Sequence, residues 1–324
     1  MVQLDARGYD KSIFDRIEHL TIFPEAMLSD AERHIESVVA TQPDVVVVSG
    51  WMLPAYGRLM REPRLANARF VVAIDEAWSG TIKQRAAAVL HGGYLRRMSL
   101  LVGAGERTRV FARHAGVADS RVRVGLYCCD DEAFSPAITD RRNAGAWPRR
   151  FLFAGRLRPE KGIEVLIEGY SRYRRSTGDP WSLSICGKGP LEGLVSGRDG
   201  VELLGFVQPA SLPRTFAEHG AFILPSREEP WGVVIAEACA AGLPVACSER
   251  CGASLDLVRD YSNGIVFSAG DPDGVRDALL YLHRNESRLP EMGALSSTLV
   301  LPFSARHWAR RWAEYLLTAV ATDR

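Results

Sequence analysis

The chain has 324 residues, 47% of them hydrophobic and 24% charged, which suits a folded protein with room for two domains and a sizeable core. Lysine and arginine total 40 against 39 acids, so no global charge favours a polyanion, and no basic run interleaved with aromatics offers a nucleic-acid surface. The six cysteines have neither CxxC nor metal-ligand spacing and the histidines are scattered, which argues against a protein-held metal and for reduced thiols acting as small hydrophobes.

Taken in chain order, Ile13, Phe14, Ile17 and Leu20 recur at helical spacing, and a second helix is expected from Ser29, as its cap, through Val39. The first residues lack the apolar stretch of a secretory leader, and no run is long enough to cross a bilayer, so a cytoplasmic protein is expected. Short apolar runs rich in β-branched residues follow at 44–48 and 69–75, and further strand-like segments at 99–103 and 121–125, with space for helices between them. Strands alternating with helices imply an α/β fold with a parallel sheet, whose ligands sit beyond the carboxyl ends of the strands. Asp75, with Glu76 as its alternative, occupies such a place, and an acid capping the next helix is the competing reading. Gly103-Ala-Gly-Glu106 lacks the third glycine of a dinucleotide fingerprint and reads as a strand end opening into a helix.

Residues 136–150 are polar, contain two prolines and a glycine within 135–150, and lack periodicity, marking the boundary between a first domain (1–135) and a second (151–303). Strands are then expected at 151–156, 182–187, 201–206, 220–225, 244–248 and 264–267, with a helix burying Ile163, Leu166, Ile167 and Tyr170 after the first of them. The final segment, 304–324, is helical, with Trp308 and Trp312 one turn apart beside Arg306, Arg310 and Arg311. Such a pattern either seats a helix on an anionic membrane or packs it on the protein, and packing is favoured because the polar face is not uniformly basic.

Two stretches carry the chemistry. Phe151–Gly162 is a strand running into a loop with Gly155, Arg156 and Lys161, a combination that suits phosphate. Glu229-Pro-Trp-Gly-Val-Val-Ile-Ala-Glu237 places one carboxylate on a loop and another inside a helix that starts near Gly232 and ends at Gly242. The N–H groups of Gly232 and Val233 would face an anion, whereas the carboxylates are pure acceptors suited to hydroxyls. A nucleotide sugar combines both kinds of group. Trp231 could flank a sugar, with packing the favoured alternative.

In order, Gly155-Arg-Leu with Lys161-Gly162, Gly187-Lys-Gly-Pro190, Leu204-Gly-Phe-Val207, Leu224-Pro-Ser226, Glu229 to Glu237, Gly242-Leu-Pro-Val245, and Gly252-Ala with Asp256 make the chain resemble glycosyltransferase family 4. The resemblance covers roughly residues 150–275. It implies a GT-B architecture, two Rossmann-like domains facing across a cleft, with the terminal helix packing back on the first. It also implies a retaining, metal-independent enzyme that moves a sugar from a nucleoside diphosphate (UDP or GDP) to a saccharide or lipid-linked acceptor in polysaccharide or glycoconjugate synthesis. No cofactor beyond the donor is implied, nor any nucleic-acid partner; peripheral attachment at the inner membrane face stays open.

By the same resemblance Arg156 and Lys161 neutralise the diphosphate, Glu229 binds the transferred sugar, Glu237 the ribose, and Gly187, Gly189 and backbone around Val207 line the donor. Two departures accompany it. Asp75 stands where the family often has a histidine, and the usual first strand and glycine-rich loop are not recognisable near Met1. A non-catalytic nucleotide-sugar-binding subunit of a GT-B pair is the alternative reading.

Overall fold

The computed structural model describes residues 30–51 and 53–321. The Ile13–Leu20 pattern, the proposed cap Ser29 and the question of a strand near Met1 lie outside them. The first described helix is Ala31–Ala40, capped by Asp30, whose carboxylate accepts from the Arg33 amide.

Two parallel sheets form the body. The first contains β1 (Val45–Ser49), β2 (Arg69–Ile74), β3 (Leu100–Gly103) and β4 (Val122–Val124), ordered β1-β2-β3-β4. Its β-branched runs are needed because both faces are covered: Val72, Ile74 and Leu101 pack with Phe111 of the helix Glu106–His114, while Val71, Leu100 and Val102 pack with Ala319, Trp312 and Leu316 of the last helix, Ala305–Ala321. That last helix is also stitched to the residues around β4, where the Trp308 indole donates to the Leu126 carbonyl (2.8 Å) and the Tyr315 hydroxyl to that of Val124 (3.1 Å). Its tryptophans thus face protein, and no described helix is long and apolar enough to cross a membrane.

The second sheet contains β5 (Arg150–Ala154), β6 (Ser182–Cys186), β7 (Val201–Gly205), β8 (Ala221–Leu224), β9 (Val245–Ser248) and β10 (Gly264–Phe267), ordered β10-β9-β8-β5-β6-β7. The chain starts at the centre, winds out to β7, then returns to the far side of β5 and winds out to β10. The turning point lies between β5 and β8, where the helices that follow diverge to opposite sides and leave a crevice at the carboxyl edge. The helix Ile163–Arg175 buries Ile163, Leu166, Ile167 and Tyr170, as its periodicity implied.

The segment 136–150 differs from its sequence reading as an aperiodic linker. It carries the helix Pro136–Asn143, and Cys129, Phe134 and Ala137 already belong to the core built around the second sheet. The physical anchor is Arg141, only 3% exposed, which donates to the carbonyls of Phe216, His219, Ala241 and Gly242. These carbonyls end the helices Leu212–Ala217 and Val233–Ala240, so one buried guanidinium satisfies two helix C-termini at once. Burial lowers its pKa to about 10, which leaves it charged at neutral pH. A polar composition concealed this helix because its buried contact is made by an arginine rather than by an apolar stripe.

Candidate active site

The loops after β5, β6 and β8 meet at the crevice and are tied to one another through backbone. Leu157 N–H donates to the Lys188 carbonyl (3.0 Å), Gly187 N–H to that of Gly205 (2.7 Å), and Arg227 N–H to that of Glu160 (2.8 Å). Gly187 has φ of +148°, and a Cβ there would come within 1.9 Å of the Gly155 carbonyl oxygen, so only glycine permits this loop contact. Gly189 donates to the Glu192 carboxylate (3.0 Å), and Val207, half-buried just past β7, packs against the core beside the exposed Phe206. Gly187 and Gly189 thus lie in the loop that meets the turn after β5, and Val207 lies two residues beyond Gly205, the partner of Gly187.

Gly232, in the left-handed region, opens the helix Val233–Ala240 toward the same crevice. Its first-turn amides supply hydrogen-bond donors and the positive end of a helix dipole. Lys161 and Glu229 form a close ion pair with each other, both side chains less than 15% exposed, and Ser226 donates weakly to Glu229 (3.4 Å). Arg156 is largely exposed, its nearest acid being Glu160 at 3.9 Å. Cation, carboxylate and helix start are thus adjacent in space, although Lys161 follows β5 whereas Glu229 and Gly232 follow β8.

Glu237 lies five residues beyond Gly232 on that helix, and its side chain has no hydrogen-bond or ion-pair partner among the described residues. Burial alone raises its carboxyl to about 7. A carboxylate kept in this state is poised for a ligand bearing hydroxyl donors, which would restore the ionised form.

On the opposite wall, Asp75 follows β2 and is exposed. It does not cap the next helix, Ile82–Leu95, where Thr81 accepts from the Gln84 amide. Asp75 instead accepts a hydrogen bond from the Tyr127 hydroxyl (2.8 Å), whereas Glu76 is engaged by the Gln84 side chain (2.6 Å). The Tyr127 phenol is pushed upward first by burial, then by Asp75, with a further contribution from Glu229. Tyr127 therefore stands between the first-domain acid and the second-domain acid. Sequence reading passed over it because no motif marks a residue just beyond a short strand. Trp231 is buried, 5.1 Å from the Phe303 ring and 5.9 Å from that of Tyr127, which fits the packing role.

Among the described residues no cluster of three or more His, Cys, Asp or Glu side chains is placed to hold a metal. All six cysteines are free thiols.

Residues 148–285 match the family model described as glycosyl transferases group 1. The chain is 31% identical over 215 residues to the amylovoran biosynthesis glycosyltransferase AmsK of Erwinia amylovora, covering 62% of this chain and 52% of that protein. It is also 31% identical over 147 residues to an uncharacterised glycosyltransferase of Methanocaldococcus jannaschii, covering 43% of this chain and 37% of that protein. The alignments thus span between about a third and a half of these relatives' length. Among solved structures, Anabaena HepE in complex with UDP superposes with a TM-score of 0.72 at 18% identity, covering 88% of this chain and 82% of that one. Sucrose-phosphate synthase of Thermosynechococcus elongatus gives 0.74 at 17%, covering 95% and 83%. The architecture is therefore GT-B, and the likeness to group 1 glycosyl transferases lies in residues 148–285.

Proposed function

We propose that the protein is a retaining, metal-independent glycosyltransferase that takes a sugar from a nucleoside diphosphate and passes it to a saccharide or lipid-linked acceptor in glycoconjugate synthesis. The observation that carries this reading is the Lys161–Glu229 pair beside the Gly232 helix start at the switch point of the second sheet, with Arg156 on the same loop as Lys161 and Glu237 on the helix that Gly232 opens. The arrangement offers cations and amides to a diphosphate and acceptors to hydroxyls. No metal is needed in this reading, because the positive charge comes from protein groups.

Lys161 and Glu229 are each other's partners, and a nucleotide sugar offers both a replacement: its diphosphate to the lysine, its sugar hydroxyls to the glutamate. As the bond from the anomeric carbon to the phosphate oxygen breaks, negative charge grows on the diphosphate, where Lys161, Arg156 and the helix amides of Gly232 and Val233 stabilise it. The acceptor oxygen then bonds the anomeric carbon on the same face, and its proton passes to the departing phosphate oxygen. Glu237 holds the ribose, backbone near Val207 meets the base, and Asp75, oriented by Tyr127, faces the acceptor or sugar. Anabaena HepE, a structural neighbour, has been solved with UDP and with UDP-glucose, which supports a nucleotide donor of this class.

Calorimetric titration with UDP and GDP, in the presence and absence of EDTA, tests the site. One nucleotide binding equally with the chelator, and more weakly to Glu237→Gln, is the expected result. Binding of neither nucleotide, or binding abolished by EDTA, contradicts it. Product analysis with the bound donor and a panel of acceptors then separates a transferase from a non-catalytic donor-binding subunit, and the anomeric configuration of the product decides retention.

A further inference from the structure

Asp256, on the short helix Ala253–Leu257, belongs to neither the Lys161–Glu229 pair nor the Asp75–Tyr127 pair, yet it joins the elements that carry them. Its Oδ2 accepts from the Trp231 indole N–H at 2.8 Å, and its Oδ1 lies 3.5 Å from the Glu106 amide. Glu106 begins the first-domain helix Glu106–His114, whose cap position is Gly105, a residue with no side chain to satisfy the first turn. A carboxylate from the other half of the molecule takes the place of that cap.

The fit is tight and entirely between the halves. Gly105 has extended backbone (φ −162°) that any residue could adopt, but a Cβ there would come within 2.1 Å of Asp256 Oδ2 and 3.0 Å of the Trp231 ring. Next along the helix, the Arg107 guanidinium donates to the Glu249 carbonyl beyond β9. Trp231 is the residue between Glu229 and Gly232 in the loop that serves the crevice, and its ring lies against Tyr127, the partner of Asp75. One carboxylate therefore connects the first-domain helix, the Glu229–Gly232 loop and, through Trp231, the Asp75–Tyr127 pair.

We propose that Asp256 is a positioning residue that couples closure of the two halves to alignment of the Glu229–Gly232 loop. The proposal rests on the glycosyl-transfer reading above for its kinetic consequence, though not for its structural one. When the halves meet at Asp256, Trp231 is clamped and Glu229 is set opposite Asp75. When they part, the donor half keeps its phosphate site but loses the opposing wall. Turnover thus depends on Asp256, whereas nucleotide binding does not.

Three variants test this in the full chain. Gly105→Ala inserts a methyl whose nearest neighbours all belong to the other half; Trp231→Phe keeps a ring but removes the N–H; Asp256→Asn keeps the shape but removes the acceptor's charge and turns an N–H₂ toward one of the two N–H donors. Hydrogen exchange of the amides at 105–107 should quicken by about tenfold in Gly105→Ala and Asp256→Asn, with peptides from β5 and β8 unchanged. In all three, kcat should fall by about 10- to 100-fold while the affinity for UDP or GDP stays within about threefold, because only an interaction with the opposite wall is lost. Unchanged exchange at 105–107 in both of those variants overturns the joint. Nucleotide affinity falling in step with kcat overturns the positioning role in favour of a general structural one. A wild-type chain that transfers no sugar defeats the functional reading instead, and the exchange comparison still decides the joint.

Discussion

The two sheets are built from the same kind of strand and the same parallel connection, yet they differ in strand order. In the four described strands of the first, each new strand is laid on the same side of the last, so β1 to β4 appear in sequence order. In the second, the chain reverses after β7 and resumes on the other side of β5. Only the second arrangement opens a crevice between diverging helices, and the phosphate-suited residues Arg156, Lys161 and Gly232 all follow β5 or β8. On the proposed function, the second half alone supplies the cations and amides offered to the diphosphate, while the described part of the first contributes an opposing wall. Substitutions in the two halves should therefore separate binding from turnover.

The largest expected effect is at the crevice. Lys161→Ala should lower turnover by about 100-fold or more, since one charge facing a developing oxyanion is worth about 3 kcal/mol. The thermal melt should stay close to that of the wild type, and near-normal turnover would remove Lys161 from the mechanism. Stability rather than chemistry is the target of the next test. Arg141→Met should cost about 3 kcal/mol in urea melts, because it leaves the C-terminal carbonyls of two helices without their donor, while turnover per folded molecule changes little. A loss below about 1 kcal/mol would mean that water replaces the guanidinium readily.

A pH titration sharpens the division further. Glu237 is held at about 7 by burial, above its ordinary 4.5, so the folded protein favours its neutral form. That contribution to stability is full below the ordinary value and is lost as pH rises through about 7. Ligand binding runs the other way. If hydroxyls of the nucleotide require the ionised carboxylate, affinity should rise about tenfold between pH 6 and 8, following the fraction ionised around a pKa of about 7. Glu237→Gln should flatten the profile, and a wild-type profile already flat would exclude an ionised Glu237 from binding.

The smallest effect belongs to the first half. Tyr127→Phe removes the hydrogen bond to Asp75 and should reduce kcat by about three- to tenfold with nucleotide affinity unchanged, as expected of a residue that orients rather than reacts. Equal loss of affinity would place Tyr127 in the donor site and blur the distinction between the two halves.

What could be read from the residues alone follows from locality. Most strands are short, largely apolar runs, and the helix Ile163–Arg175 carries an apolar stripe, because burial on both faces of a parallel sheet demands that pattern within a few consecutive residues. The places of the loop glycines and charges after β5 and β8 were equally legible, since each follows directly on a strand in contiguous backbone. The reversal of strand order was carried by no single segment. Neither was the helix Pro136–Asn143, whose anchoring arginine finds its carbonyl partners 75 to 101 residues away. The pairing of Lys161 with Glu229, Tyr127 with Asp75, and Asp256 with both Trp231 and Glu106 likewise links positions 25 to 150 residues apart. Individual side chains state what chemistry they offer, but which of them neutralise, orient or cap one another depends on where the two sheets are brought together, and that was decided only by the tertiary structure.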